Sequence, residues 1–320
     1  MIMTKEKPAK GMSVVIPVMN EEENIQPVYH EVSSVLKQLF SDYEIIFVND
    51  GSTDNSLLEM LKIKQADPKV KVIDLRRNFG QSAAMRAGFD YASKELVCYI
   101  DGDMQIDFNE LPLFLKEIEN GADAVTGWRW KRKDTFFKRF FSLFARQLRK
   151  FFLGTQLHDY GCPFKVFKKE CLEDLELFGE MHRYIPPMLR WKGYNVSEVK
   201  ITHRPRIHGK TKYNITRLGR GFLDMIAVWF WQKFSTRPLH IFGGIGLASM
   251  LLSGISAIIL ASLRLEGRIS LVNSSLPLLT AVLFLMGVIF LCFGLVSDML
   301  MKIYYSQNER KNYNIKQIYE

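Results

Sequence analysis

Cysteine is scarce in this chain. The four present among 320 residues, Cys98, Cys162, Cys171 and Cys292, have no metal-ligand spacing. That excludes a disulfide-stapled scaffold and a zinc module and points to reduced thiols. Also missing are a Gly-x-Gly-x-x-Gly fingerprint, a Walker-type loop, internal repeats and low-complexity tracts, so the usual carriers of dinucleotide and P-loop binding are lacking. Met1 to Lys10 is charged and leads straight into Ser13-Val14-Val15-Ile16, without the apolar stretch of a signal peptide. Charge itself is absent from Ile241–Leu263 and from Leu276–Ser297. The first of these makes roughly 35 Å of helix, and each exceeds the ~20 residues that a bilayer crossing requires.

What surrounds the two apolar runs gives an orientation. Lys233 and Arg237 precede the first, and Lys302, Arg310, Lys311 and Lys316 follow the second. The positive-inside tendency puts both ends in the cytoplasm and the connector Arg264–Ser275 outside. The net charge of +9 is concentrated: Trp128–Phe152 carries nine Lys/Arg against one Asp, and His203–Arg220 carries six and no acid. The spans favour an anionic membrane surface and phosphorylated substrates as targets of this charge over nucleic acid.

The first hundred residues alternate. Ser13–Pro17, Tyr43–Val48, Val70–Asp74 and Leu96–Ile100 read as strands, and Glu21–Leu39, Asp54–Lys64 and Gln81–Ser93 as helices. Alternation of this kind predicts a parallel α/β sheet with ligands beyond the carboxyl ends of its strands. Phe136, Phe137, Phe140, Phe141, Phe144, Leu148, Phe151 and Phe152 recur at helical spacing between Lys138, Arg139, Arg146, Arg149 and Lys150. That pattern suits a helix over about 134–153 lying in a membrane interface. Leu218–Phe234 repeats it, with Trp229 and Trp231 just before the first span.

Of the polar motifs, Asn20-Glu21, Asn49-Asp50 and Asp101-Asp103 fall at predicted strand ends. In order the motifs are Pro17-Val18-Met19-Asn20-Glu21-Glu22, Asn49-Asp50-Gly51-Ser52-Thr53-Asp54, Phe79-Gly80-Gln81-Ser82, Asp101-Gly102-Asp103-Met104-Gln105, Gly127-Trp128-Arg129, Asp159-Tyr160-Gly161-Cys162 and Gly209-Lys210-Thr211-Lys212-Tyr213. Asp-x-Asp after a strand can hold a hard divalent cation that also binds a substrate diphosphate. Each motif has a plainer reading: Asp50-Gly51 as a turn, Asp54 as a helix cap, Arg129 as a solvated charge, Asp159 as a loop anchor.

Taken as a series, these motifs resemble the family-two inverting glycosyltransferases of GT-A fold. Within them the chain is most similar to the polyisoprenyl-phosphate glycosyltransferases, the group of dolichol-phosphate mannose synthase and the undecaprenyl-phosphate enzymes. The resemblance covers essentially the whole chain. It implies a GT-A, Rossmann-like, mostly parallel α/β domain over 1–214, an interfacial amphipathic helix over 215–237, a two-helix transmembrane hairpin over 238–301 and a cytoplasmic tail over 302–320. It implies that Pro17, Met19, Glu21, Asp50, Asp101, Arg206 and Lys212 bind the donor nucleotide, that Asp103 and Gln105 hold Mg²⁺ or Mn²⁺, and that Arg129, Lys138 and Ser142 take the acceptor phosphate. Asp101, Asp103 and Asp159 are the implied catalytic residues, with Asp159 either acting near the anomeric centre or only positioning groups.

The implied reaction moves one sugar from a nucleotide-sugar to undecaprenyl or dolichyl phosphate at the cytoplasmic leaflet of a bacterial inner membrane. A UDP-sugar is expected, with glucose or N-acetylglucosamine. Membrane lipids are implied partners; a homo-oligomer and a downstream flippase stay open, and nucleic acid is not a partner. Two departures concern the sugar end: Lys165 stands where the family often has Arg, and Ile106-Asp107-Phe108 replaces a Pro-rich stretch. Two rivals remain. A processive polysaccharide synthase usually has Gln-x-x-Arg-Trp and more spans, whereas Pro187 precedes Arg190-Trp191 here. A non-catalytic scaffold would be expected to lose a metal carboxylate, and none is lost.

Overall fold

The computed structural model describes residues 11–130, 157–173, 175, 177, 179–205, 230, 238–269, 274–306 and 312–320. The basic helix expected over 134–153 lies outside them, as does nearly all of the interfacial helix expected over 215–237. The chain divides into two compact units, Met1–Val228 with Lys311–Glu320, and Trp229–Arg310.

The first unit is built on an eight-stranded sheet of order β7-β5-β6-β4-β1-β2-β3-β8. Strands β1 (Met12–Val18), β2 (Tyr43–Asn49), β3 (Val70–Leu75) and β4 (Leu96–Tyr99) are parallel neighbours. They read as continuous apolar runs because helices cover both faces. Helices α1 (Glu22–Leu39), α2 (Ser56–Ala66) and α4 (Leu111–Glu119) pack Ile25, Val32, Leu36, Met60 and Phe114 against one face. The other face takes Ala84, Met85 and Phe89 of α3 (Gln81–Tyr91) and Ile185 and Leu189 of α5 (Ile185–Trp191). Each such fully buried large aliphatic or aromatic side chain contributes ~1.5–3 kcal/mol. Helix α1 has Glu22 and Glu23 in its first turn and Lys37 in its last, matching the helix dipole.

Beyond β4 the sheet becomes mixed. Strand β6 (Lys165–Lys168) lies antiparallel between β4 and β5 (Ala124–Arg129), and β5 pairs parallel with β7 (Val196–Ile201). The far edge holds a strand that the sequence reading treats as part of a tail. Residues Ile315–Tyr319 form β8, antiparallel to β3. Its five residues, with Lys316 and Gln317 side by side and exposed, cover an edge rather than fill a core, so no apolar run announces it.

The second unit is a helical hairpin of α6 (Pro238–Leu265) and α7 (Leu276–Ser306). Both helices are long and apolar enough to cross a membrane, and only 11% of either apolar stretch is buried. Leu251, Ile258 and Ile289 are more than 60% exposed, which a soluble core helix would not tolerate. Small residues bring the helices together. A Cβ on Gly287 would lie 2.4 Å from Met250 Cγ and 2.8 Å from the Gly246 carbonyl oxygen. Ser249 and Ser253 donate across the seam to the carbonyl oxygens of Leu283 and Thr280 at 2.7 and 2.8 Å. Close small-residue contact and hydroxyl bonding are how apolar helices associate without water to expel.

Candidate active site

Strands β1, β2, β3 and β4 point the same way, and β5 joins them across the antiparallel β6. Their carboxyl ends therefore share one edge, and the motif residues follow those ends. Pro17 lies in β1 and Met19 is 36% exposed just beyond it. Asn20 adopts φ 55°, and its side-chain oxygen accepts from the Thr53 amide at 2.8 Å, while its own amide donates to Ser52 Oγ. Glu21 donates its amide to Ser56 Oγ at 3.0 Å and accepts from Asn24 Nδ2 at 2.6 Å. Asp54 accepts from the amides of Ser56 and Glu22, so one carboxylate ties the start of α2 to the start of α1. The cap position of α2 is Asn55 rather than Asp54, so the cap expected of Asp54 is replaced by a turn bond just before the helix.

Asp50 is buried at 4% exposure and accepts from the amides of Phe79 at 2.7 Å and Gly80 at 3.0 Å. Burial raises its carboxyl above the ordinary 3.8, and those amides and the Arg77 charge hold back part of the rise. Gly51 makes this approach feasible. It has φ +67°, and a Cβ there would lie 2.5 Å from the Arg77 carbonyl carbon. A carboxylate has about four acceptor positions, so two amide bonds leave capacity toward a base.

The Asp-Gly-Asp turn follows β4. Asp101 Oδ1 accepts from Gln81 Nε2 at 2.7 Å and from the Tyr99 hydroxyl. Desolvation, and then the Asp103 charge, raise the Asp101 carboxyl above its ordinary range. Asp103 is 8% exposed and accepts the Gln105 amide at 3.2 Å. Met104 between them sits at φ 59°, in the left-handed region. A non-glycine residue held there costs on the order of 1–2 kcal/mol, and the turn closes with the Gln105 amide on the Asp103 carboxylate.

Arg129 ends β5 and meets Asp159 in a two-pronged pair, Nε to Oδ2 at 2.6 Å and Nη2 to Oδ1 at 3.0 Å. Burial alone would raise the Asp159 carboxyl; the Arg129 bonds and charge outweigh it and hold the group below its ordinary range. Burial likewise opposes the guanidinium charge, and Asp159 more than restores it. Gly127 lets the Asp-Tyr-Gly-Cys loop close on β5, since a Cβ there would lie 2.7 Å from Cys162 Sγ.

Lys165, noticed in the sequence only as a departure, belongs to this cluster. It is 2% exposed at the start of β6, and its ammonium donates to the Cys162 carbonyl and lies over the Tyr99 ring. Desolvation lowers its pKa, with the charges of Asp101 and Asp159 pulling back. Its signal was a lysine inside the run Phe164-Lys165-Val166-Phe167, flanked by apolar residues. Gln81 and Tyr99 lay in or beside recognised motifs, but nothing local said they would share an oxygen of Asp101. Arg206, Lys212, Lys138 and Ser142 lie outside the described residues. Just before Arg206, Arg204 donates its amide to the Gln105 carbonyl oxygen at 2.8 Å and pairs with Glu31 and Asp107.

Among the described residues no group of three or more His, Cys, Asp or Glu could hold a metal by itself. Asp103 and Gln105 nonetheless fit a hard cation of the Mg²⁺ type, which binds through one or two carboxylates, waters and substrate phosphates rather than an all-protein cage.

Comparison with known proteins bears on the family and the fold. The pattern of glycosyl transferase family 2 matches residues 13–176. The chain is 33% identical over 97% of its length to dodecaprenyl-phosphate galacturonate synthase of Rhizobium johnstonii, covering 93% of that protein. It is 31% identical over 99% of its length to undecaprenyl-phosphate 4-deoxy-4-formamido-L-arabinose transferase of Serratia proteamaculans, covering 96% of it. In fold it is similar to glucosyl-3-phosphoglycerate synthase of Mycobacterium tuberculosis, with TM-score 0.54, 20% identity, and 70% and 80% of the two chains covered. A second structure of that enzyme, with Mn²⁺, UDP-glucose and phosphoglyceric acid bound, has TM-score 0.53 and 19% identity, with the same coverage. The mixed sheet with its GT-A neighbours and the near-full-length relatives show that the chain belongs to glycosyl transferase family 2.

Proposed function

We propose that the protein transfers one sugar, with inversion, from a nucleotide-sugar to a polyisoprenyl phosphate at a membrane surface. The observation that carries this reading is a single edge holding a carboxylate turn, Asp101-Gly102-Asp103-Met104-Gln105, and a buried Arg129–Asp159 pair, in a chain that also has a membrane-length hairpin. Relatives matched over nearly their whole length carry polyprenyl-phosphate sugar transfer in their names.

The roles follow from the chemistry. The Asp50 turn receives the base, with Pro17, Met19 and Glu21 beside it. Asp103 and Gln105 hold a divalent cation, which when bound offsets charge on the departing nucleoside diphosphate. Arg206 and Lys212 cover the diphosphate; Arg129, Lys138 and Ser142 receive the lipid phosphate. An oxygen of that phosphate forms a bond to the anomeric carbon as the bond to the donor diphosphate breaks, and the nucleoside diphosphate leaves. The acceptor is already ionised near neutral pH, so no strong general base is required. Asp159, with both oxygens on Arg129, orients the guanidinium fork toward phosphate.

The expectation of glucose or N-acetylglucosamine has no support in the names of these relatives, which print galacturonate and 4-deoxy-4-formamido-L-arabinose. UDP-galacturonate and the UDP-formamido-sugar therefore head the donor panel. The domain reading is a catalytic part over 1–214, an interfacial helix over 215–237, the hairpin over 238–301 and the last residues back on the cytoplasmic side. Asp103→Ala is the direct test. We expect lipid-linked product to disappear while the protein stays folded in the membrane; activity like that of the wild type contradicts the metal assignment. Arg129→Ala is expected to raise the acceptor KM more than the donor KM, and an unchanged acceptor KM removes Arg129 from that site.

A further inference from the structure

The C-terminal strand reaches the two segments that hold Asp50. We propose that Asn314 and Lys316 are positioning residues for the donor-nucleotide pocket, a role that rests on the function proposed above.

The first arm runs through a buried carboxylate. Pairing between β3 and β8 slips at Asp74 and Leu75: Asp74 faces Gln317 and Leu75 faces Ile315, which leaves Lys316 as the extra residue of a bulge. Bulges re-aim side chains, and Lys316 Nζ lies 3.3 Å from Asp74 Oδ2. Asp74 is 2% exposed, and that oxygen has no hydrogen bond. Among the described residues Lys316 is the cation paired with it. A buried carboxylate without a countercharge is costly. Asp74 Oδ1 accepts from Asn49 Nδ2 at 2.8 Å, and Asn49 Oδ1 accepts from the Ser52 amide at 3.1 Å. The chain Lys316–Asp74–Asn49–Ser52 thus orients the turn that carries Asp50.

The second arm reaches the opposite wall. Asn314 accepts the Arg76 amide on its carbonyl at 3.0 Å and Arg76 Nε on its side-chain oxygen at 3.2 Å. Arg76 opens the segment whose Phe79 and Gly80 amides bind the Asp50 carboxylate. The strand itself is anchored by Tyr313, whose hydroxyl bonds Asp90, and by Asn312, which donates to the Leu177 carbonyl. Residues on the sheet's outer edge therefore brace both pieces of backbone that meet at Asp50.

The test uses the full-length protein in membranes. Asn314 and Lys316 are exposed, so Lys316→Met with Asn314→Ala removes the braces without opening the core. Gln317→Ala, on the same strand, is the control. The double variant is expected to raise donor KM by roughly three- to fivefold, with acceptor KM and kcat within about twofold. Lys316→Arg is expected to keep the donor KM of the wild type. Amide exchange at Ser52, Phe79 and Gly80 is expected to rise in the double variant and not in Gln317→Ala. Unchanged donor KM together with unchanged exchange overturns the proposal, as does a parallel rise in acceptor KM. If the wild type itself transfers no sugar, the proposed function fails, and the exchange comparison still decides whether the braces act.

Discussion

At the scale of single residues the site combines groups whose surroundings push them in opposite directions. The Asp50 and Asp101 carboxyls are raised by desolvation, whereas Arg129 holds Asp159 down. The side chains of Arg129 and Asp159 are only 14% and 16% exposed. Removing one partner leaves a buried charge, so Asp159→Asn is expected to cost about 3–5 kcal/mol of stability, read as a lower unfolding midpoint. The sign of its pH dependence follows. A carboxyl lowered by folding stabilises above its ordinary 3.8, and that contribution fades as pH falls through the lower folded value. The gap between wild type and Asp159→Asn should therefore close in acid; a gap that widens below pH 3.8 contradicts the pairing. Gly51→Ala is a second residue-scale test. Its φ of +67° and the 2.5 Å approach to Arg77 predict a loss of nucleotide binding greater than that of Gly121→Ala, where φ is +97° but nothing lies within 4 Å. Equal behaviour of the two would remove the close approach from the account.

At the scale of elements, strands β1 to β4 were legible because each is an apolar run ended by a polar motif. That pattern also gathered candidate residues: Asn20, Asp50, Asp101 and Arg129 all follow or close a strand of one sheet edge. What was not legible depended on pairing across long separations. Strand β6 begins with a buried lysine, and β8 carries Lys316 and Gln317 among its five residues, so neither shows the expected periodicity. Glu44 shows the same limit. It reads as a stray charge in a strand, yet it is 5% exposed and accepts from Ser13 at 2.6 Å and from Ser93, with Lys71 at 3.1 Å. Burial raises this carboxyl, but its hydroxyl, amide and Lys71 partners bring it below the ordinary 4.5. Glu44→Gln is expected to weaken the sheet above that pH and to converge with the wild type as acid protonates the native group. In the hairpin, Gly287→Leu has no room against Met250 and the Gly246 carbonyl. It is expected to separate α6 from α7, measured as faster proteolysis of the hairpin in detergent; unchanged resistance would contradict the observed packing.

At the scale of the whole molecule, chain order carries the topology. One sheet contains β1 to β7, which precede the hairpin, and β8, which follows it. The Lys and Arg residues flanking the hairpin favour the cytoplasmic side for both of its ends. An impermeant thiol reagent should therefore label a cysteine placed at Gly267 from outside intact cells and leave one placed at Gly193 unlabelled. The central claim is the reaction itself. Its most direct test is transfer of labelled sugar into organic-extractable lipid by membranes containing the protein, given undecaprenyl phosphate, a panel of UDP- and GDP-sugars, and Mg²⁺, Mn²⁺ or EDTA. The account predicts metal-dependent labelling from one donor, lost in Asp103→Ala. Folded protein that labels no lipid from any donor, or labels it equally in EDTA, would contradict it.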